Sequence, residues 1–291
     1  MLILDGGIGR YLKEIGAPFR QPEWSALALM EDPASVALAH QAFIDAGSEI
    51  ITTNSYAVVP FHIGHQRFLD QGEDLLEVSG RLAQECARAS SKDIRVAGGI
   101  PPVCGSYKPD AFIEEEALAM LHMFRRALLP YVDIFLAETQ SSIAEMQAIL
   151  QVFDQCAKPL WISFTLEDEN FTEEPRLRSG EKLAVALEQV DCEAVQAVLL
   201  NCSQPEVMAA AVVLSRKILP NKISIGVYAN GFQPITNTIE ANDGYSSMRQ
   251  DLSPEKYLEF AQQWKSLGAG IVGGCCGIGT EHIHALKALR D

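Results

Sequence analysis

The chain has 291 residues, 48% of them hydrophobic, and a formal net charge of −15. That length suits one large α/β domain of about 250 residues with additions, and the hydrophobic content is enough for a sizeable core. The negative charge argues against nucleic acid, whose phosphates would be repelled, and is compatible with small cationic substrates.

Seven cysteines at irregular spacing would leave one over if the rest were paired, so a secreted disulfide framework is not expected. Free or metal-bound thiols in a reducing compartment fit better. The opening Met1-Leu2-Ile3-Leu4-Asp5 is not a basic segment followed by a long apolar run, so no signal peptide is expected. No apolar run approaches the roughly 18 residues of a membrane span. The expectation is a cytoplasmic protein with no membrane segment.

Taken in order, apolar and β-branched runs alternate with helical patterns. Runs at 2–4, 49–53, 94–97 and 132–137 read as strands, closing on Asp5-Gly6-Gly7, Asn54-Ser55-Tyr56, Gly98-Gly99 and Glu138. Runs at 160–164, 195–200, 223–228 and 271–272 follow, the last three closing on Asn201-Cys202, Ala229-Asn230-Gly231 and Gly273-Gly274-Cys275-Cys276. Between them, helices are predicted from Asp32-Pro33 to Gly47, at 72–90, 114–129 and 142–156, and up to about 189. Further helices open at Pro205, at Ser253-Pro254 and at about Thr280, and polar stretches occupy 167–178 and the connection after the seventh run.

Eight strand–helix units without a composition break predict a single-domain (β/α)8 TIM barrel over residues 1–291, with right-handed parallel crossovers. In such a barrel the C-terminal strand ends share one rim, where active sites lie. Asp5, Asn54, Glu138, Asn201-Cys202, Asn230 and Cys275-Cys276 all fall there. Adjacent cysteines are poor disulfide partners for each other but suit one soft metal ion. With Cys202 as the third ligand, Cys275 and Cys276 form a candidate Zn2+ site for activating a thiol. The alternative is three buried cysteines acting as small hydrophobes.

These motifs, Leu4-Asp5-Gly6-Gly7, Thr52-Thr53-Asn54-Ser55-Tyr56, Glu138-Thr139, Trp161-Ile162-Ser163-Phe164-Thr165, Asn201-Cys202, Tyr228-Ala229-Asn230-Gly231 and Gly273-Gly274-Cys275-Cys276, resemble the homocysteine S-methyltransferase family. The resemblance spans essentially the whole chain. It implies a zinc-dependent barrel enzyme that methylates homocysteine to methionine, with Cys202, Cys275 and Cys276 as zinc ligands and Glu138 on the homocysteine ammonium. Asp5 offers a second carboxylate for that ammonium or a turn before Gly6-Gly7. The glycines let backbone N–H groups reach the substrate carboxylate. Asn230 either meets a polar substrate group or caps a loop.

Trp24 and Tyr56 match positions where betaine-using relatives place aromatics, and would face a cationic methyl donor. Those relatives carry a tyrosine where this chain has Thr139, and an oligomerising C-terminal extension that this sequence lacks. Compact members that use S-methylmethionine or S-adenosylmethionine resemble it more, and cobalamin or folate modules have no room. The segments 228–232 and 101–104 depart from the family pattern. Betaine as donor and another thiol or selenol as acceptor are the remaining alternatives. A zinc-storing protein would not explain Asp5 and Glu138, and no lysine stands at a strand end to support an aldolase or lyase. His62, His65, His282 and His284 have no ligand-like spacing and are expected on the surface or in loops.

Overall fold

Short β-branched runs buried on both sides pair with one another, and the helices between them force each pairing to be parallel. A computed structural model describes residues 1–169, 174–190, 192–233 and 248–290. Its eight strands are β1 (Leu2–Ile3), β2 (Ile50–Thr52), β3 (Arg95–Ile100), β4 (Ile134–Gln140), β5 (Leu160–Phe164), β6 (Val195–Asn201), β7 (Ser224–Tyr228) and β8 (Ile271–Val272). They form one parallel sheet in the order β1-β8-β7-β6-β5-β4-β3-β2. A parallel bridge from Leu4 to Ile50, with Glu49 N–H donating to the Ile3 carbonyl at 2.8 Å, closes the barrel. The predicted (β/α)8 architecture is the observed one.

Side chains alternate in and out along each strand. Leu4, Ile50, Ala97, Leu136, Trp161 and Leu199 face inward, with others, and fill the barrel axis. Their outward neighbours, among them Ile3, Ile51, Val96, Phe135 and Val198, join the larger layer under the helices. The barrel is a packed core, so substrates are confined to its rim.

Most expected helices occur near their predicted bounds, such as Pro33–Ala46, ended by Gly47 at φ 126°, and Pro254–Ser266, capped by Ser253 Oγ. His65–Ala89 starts a helix well before 72. Three short helices, Ile8–Glu14, Ser25–Glu31 and Pro60–Ile63, were not predicted. Each has under three turns, too few for a periodic signal. They line the rim. The polar connection after β7 lies largely, at 234–247, outside the described residues, as does 170–173 of the stretch at 167–178. Among the described residues no helix is long and apolar enough to cross a membrane.

Candidate active site

Cys202 directly follows β6 at φ 49°, a left-handed conformation that costs a non-glycine residue on the order of 1 kcal/mol or more. Its surroundings hold it there. The Cys202 carbonyl accepts from Arg178 Nη2 at 3.2 Å and from Thr165 Oγ1 at 3.3 Å. Arg178 also donates to Asp168 Oδ2 at 3.1 Å, and the same oxygen accepts from Gln204 N–H at 3.0 Å. Both side chains of this ion pair are buried, so removing either partner leaves a stranded charge.

Cys275 and Cys276 lie in the turn after β8, pinned by backbone bonds on both sides. Gly274 N–H donates to the Asp5 carbonyl at 2.9 Å and Cys275 N–H to that of Ala229 at 2.9 Å, while the Cys276 carbonyl accepts from Gly231 at 2.7 Å. A Cβ at Gly274 would meet the Ile278 side chain at 2.2 Å, so glycine is required for this turn to close. The three sulfurs lie within 4.8 Å of one another. Thiolates at about 2.3 Å from a tetrahedral ion stand about 3.8 Å apart, so slight closure completes such a site.

Hydrogen bonds from Cys275 and Cys276 hold the Cys202 thiol well below its ordinary range, and those same bonds hold the two donors well above theirs. Mutual repulsion opposes ionising all three sulfurs together, and a bound cation would relieve it. The donor set fits a soft metal ion.

Glu138 lies within β4, where the register against β5 shifts between Ala137 and Gln140 and Thr139 takes φ 60°. Such a bulge re-aims a side chain. Asn201 fixes it: Oδ1 accepts from Thr139 N–H at 3.0 Å and Ser163 Oγ at 2.7 Å, and Nδ2 donates to Thr139 Oγ1 at 2.8 Å. The same Nδ2 stands 4.0 Å from Cys275 Sγ, so one amide ties the Glu138 turn to the cysteine cluster. A Cβ on Gly99 would stand 2.8 Å from Glu138 Oε1, which is why that strand carries glycine there.

Asp5 accepts from Thr52 N–H at 2.6 Å through Oδ2 and from Thr52 Oγ1 at 3.1 Å through Oδ1. Burial pushes Asp5 up to about 7 despite these bonds. Burial pushes Glu138 well above the usual carboxylate range, and repulsion from Asp5 and Cys202 adds to it. Both carboxyls are therefore held toward neutrality in a way that a bound cation would reverse.

These groups open into a cavity of about 250 Å³. That is close to the lower end, about 300 Å³, of small-molecule sites. Trp24, Tyr56, Tyr107, Arg10 and Lys13 line it as well. Phe19 meets Trp24 edge to face at 5.6 Å, Tyr56 Oη lies 2.8 Å from Ser106 Oγ, and the Arg178 guanidinium lies over the Tyr107 ring at 4.7 Å. Trp24, Tyr107, Thr139 and Cys202 are the non-glycine residues at positive φ among those described; three of them line this cavity and Thr139 directly follows Glu138, which does. Strain concentrated in one place marks a functional surface.

The family model for homocysteine S-methyltransferase matches residues 2–289. The chain belongs to the homocysteine S-methyltransferase family. It is 27% identical to homocysteine S-methyltransferase 1 of Arabidopsis thaliana over 98% of this chain and 92% of that protein. It is 26% identical to the selenocysteine methyltransferase of Astragalus bisulcatus, over 94% of this chain and 88% of that one. The metallated form of the homocysteine methyltransferase MmuM from Escherichia coli superposes with a TM-score of 0.80 at 25% identity, over 99% and 96% of the two chains.

Within this homocysteine S-methyltransferase family fold, the cavity is lined by Asp5, Gly6, Gly7, Trp24, Tyr56, Glu138, Cys202, Cys275 and Cys276, which sequence reasoning had singled out. Three expectations change. Asn230 is fully buried off the cavity wall, its Oδ1 accepting from Gln204 Nε2 at 3.2 Å and Phe232 N–H at 3.3 Å, so it caps the loop after β7. Gly7 N–H is spent on the Ile278 carbonyl at 2.9 Å, and a Cβ at Gly6 or Gly7 would collide with the 275–278 backbone. These glycines serve a close pass of two turns, leaving no free Gly7 N–H for a carboxylate. His62 is buried in the cavity wall, not on the surface.

Sequence reasoning gave no role to Tyr107 or Arg178, and noted Asn54 only as a rim residue. A buried arginine inside a polar loop has no local signature: Asp168 lies in the same loop, but the barrel alone brings Cys202 to it.

Proposed function

We propose that this chain moves a methyl group from a sulfonium donor, S-methylmethionine or S-adenosylmethionine, to the sulfur of homocysteine, giving methionine. The observation that carries the reading is the meeting of three cysteine thiols with two buried carboxyls at one end of a small cavity. The whole of residues 1–291 is proposed to act as one homocysteine-binding domain, in the reducing cytoplasm where such thiols persist.

Cys202, Cys275 and Cys276 are the residues that would hold the metal, and their all-sulfur set suits Zn2+. When bound, the ion supplies Lewis acidity that favours the thiolate of a substrate thiol near neutral pH. Glu138 and Asp5 receive the homocysteine ammonium, and its positive charge returns their carboxyls to the ionised form. Trp24 and Tyr56 present ring faces to the donor cation.

In the transfer, the homocysteine thiolate attacks the donor methyl carbon. A new S–CH3 bond forms as the old one breaks, the electron pair leaves with the donor sulfur as a neutral thioether, and the thiol proton passes to solvent. No side-chain base is needed for the attack. The residues contribute alignment, which is worth several kcal/mol when reacting atoms are held in line. A selenol acceptor is the second reading, favoured by near-equal identity to the selenocysteine methyltransferase of Astragalus bisulcatus and to the homocysteine enzymes.

The test is metal content and zinc-edge X-ray absorption of reduced protein, with and without homocysteine, alongside methionine formation from each donor. About one zinc per chain with three sulfur neighbours, rising to four with homocysteine, is expected. Failure to retain metal, or failure to form methionine from any onium donor, would overturn it.

A further inference from the structure

Two polar side chains in the cavity wall each donate to a backbone carbonyl and carry an acceptor atom with no partner among the described residues. His62 Nδ1 lies 3.1 Å from the Pro22 carbonyl oxygen. A carbonyl can only accept, so Nδ1 carries the proton and Nε2 the lone pair. Nε2 has no partner among the described residues, and the ring, 5% exposed, lines the cavity. Asn54 repeats the arrangement: Nδ2 donates to the Ser25 carbonyl at 3.0 Å, which fixes the amide's orientation, while Oδ1 is buried without a partner. Buried acceptors are rarely left unmade, and each such exception calls for an explanation.

Both anchoring carbonyls belong to the 22–25 segment, which carries Trp24 into the same cavity. An aromatic ring and two neutral acceptor-bearing side chains thus line one cavity. Burial pushes His62 down to about 4, so at neutral pH it is uncharged and does not repel a cation. An aromatic face attracts an onium charge, and the acceptors add a requirement that charge alone does not impose: the ligand must have hydrogens to donate.

We propose that Asn54 Oδ1 and His62 Nε2 determine donor specificity, selecting an onium donor that bears N–H or O–H groups, an amino-acid sulfonium, over a fully alkylated one such as betaine. This rests on the reading that the Trp24 end of the cavity takes the methyl donor. Asn54 and His62 act here by binding, and no step of the transfer passes through them.

The experiment compares S-methylmethionine with 4-(dimethylsulfonio)butanoate, a sulfonium that keeps the carbon chain and the carboxylate and lacks the ammonium. The two probes share the sulfonium, the chain length and the carboxylate, so the ammonium is the variable. Calorimetric binding and methionine formation are each measured on metal-loaded wild type, His62→Phe, His62→Gln and Asn54→Ala. Wild type should bind the ammonium-bearing probe about tenfold or more tighter, as for a hydrogen bond to a charged group. His62→Phe and Asn54→Ala should each reduce that preference several-fold, and His62→Gln, which retains an acceptor and a donor, should restore much of it.

Equal weakening for both probes would assign these residues a structural role in holding the 22–25 segment, and would overturn the proposal. So would an unchanged ratio, or a wild type with no preference. A preserved binding preference with no methionine formed from either sulfonium would overturn the methyl-transfer reading and leave the acceptor assignment standing. A variant that does not fold passes the test to the remaining two.

Discussion

The two ends of the cavity are built by different means. At the sulfur end, Asp5, Glu138, Cys202, Cys275 and Cys276 stand on or within a few residues of β1, β4, β6 and β8, and backbone bonds between strands fix their turns. At the aromatic end, Trp24 and His62 stand on connections between barrel elements. They are placed by side-chain contacts, such as His62 to the Pro22 carbonyl and Phe19 to Trp24. The first end is held by the closure of the barrel itself, the second by local bonds that can vary without disturbing it. Substitutions at the sulfur end should therefore act on metal and chemistry, and those at the aromatic end on donor binding.

The largest effect is expected from Cys202→Ala, Cys275→Ala or Cys276→Ala, each of which should lose metal and reduce methyl transfer to background while leaving the circular dichroism of the barrel unchanged. Substantial activity in any of the three would remove that cysteine from the ligand set. Next, Arg178→Met should lower metal affinity about 10- to 100-fold, the range for residues that orient a ligand. Competition with a chromophoric chelator measures this. Since Arg178 touches the Cys202 carbonyl and not the sulfur, an unchanged affinity would mean that barrel closure alone holds the cysteine turn.

Glu138→Gln should raise the KM for homocysteine about tenfold or more, the scale of a lost charge-assisted bond, with metal content unchanged. Loss of metal in that variant would show that the Asn201 link couples the carboxylate to the cysteines. The mildest change is Trp24→Leu. A cation–π contact of about 0.5–2 kcal/mol predicts a 2- to 30-fold higher donor KM with homocysteine KM and metal unaffected. An effect on both substrates would erase the division between the two ends.

The same division marks how far the sequence could be read. Runs such as 195–200 and 271–272 were visible because buried parallel strands are short, apolar and β-branched. The cysteines were visible because they stand at the ends of those runs. Glu138 was placed one step past its strand, whereas it sits inside β4 at the bulge that Thr139 makes. Nothing in the local pattern marks a register shift. Asn230 looked like a rim residue by position, but its side chain turns to Gln204 and Phe232. His62 was a lone histidine with no periodic context, and its tautomer depends on a carbonyl forty residues earlier in the chain.

By itself, then, the sequence determined the alternation of eight strands with helices, and hence a barrel whose strand-end residues share a rim. Side-chain period and strand length are local properties, and closure follows from repeating them eight times. The tertiary structure alone decided which rim residues face the cavity. It brought Arg178 and Asp168 beneath Cys202, spent the Gly7 N–H on Ile278, and left Asn54 Oδ1 and His62 Nε2 without a partner among the described residues. Those outcomes depend on hydrogen bonds between residues 10 to 271 positions apart in sequence, most of which pair only when the whole barrel closes.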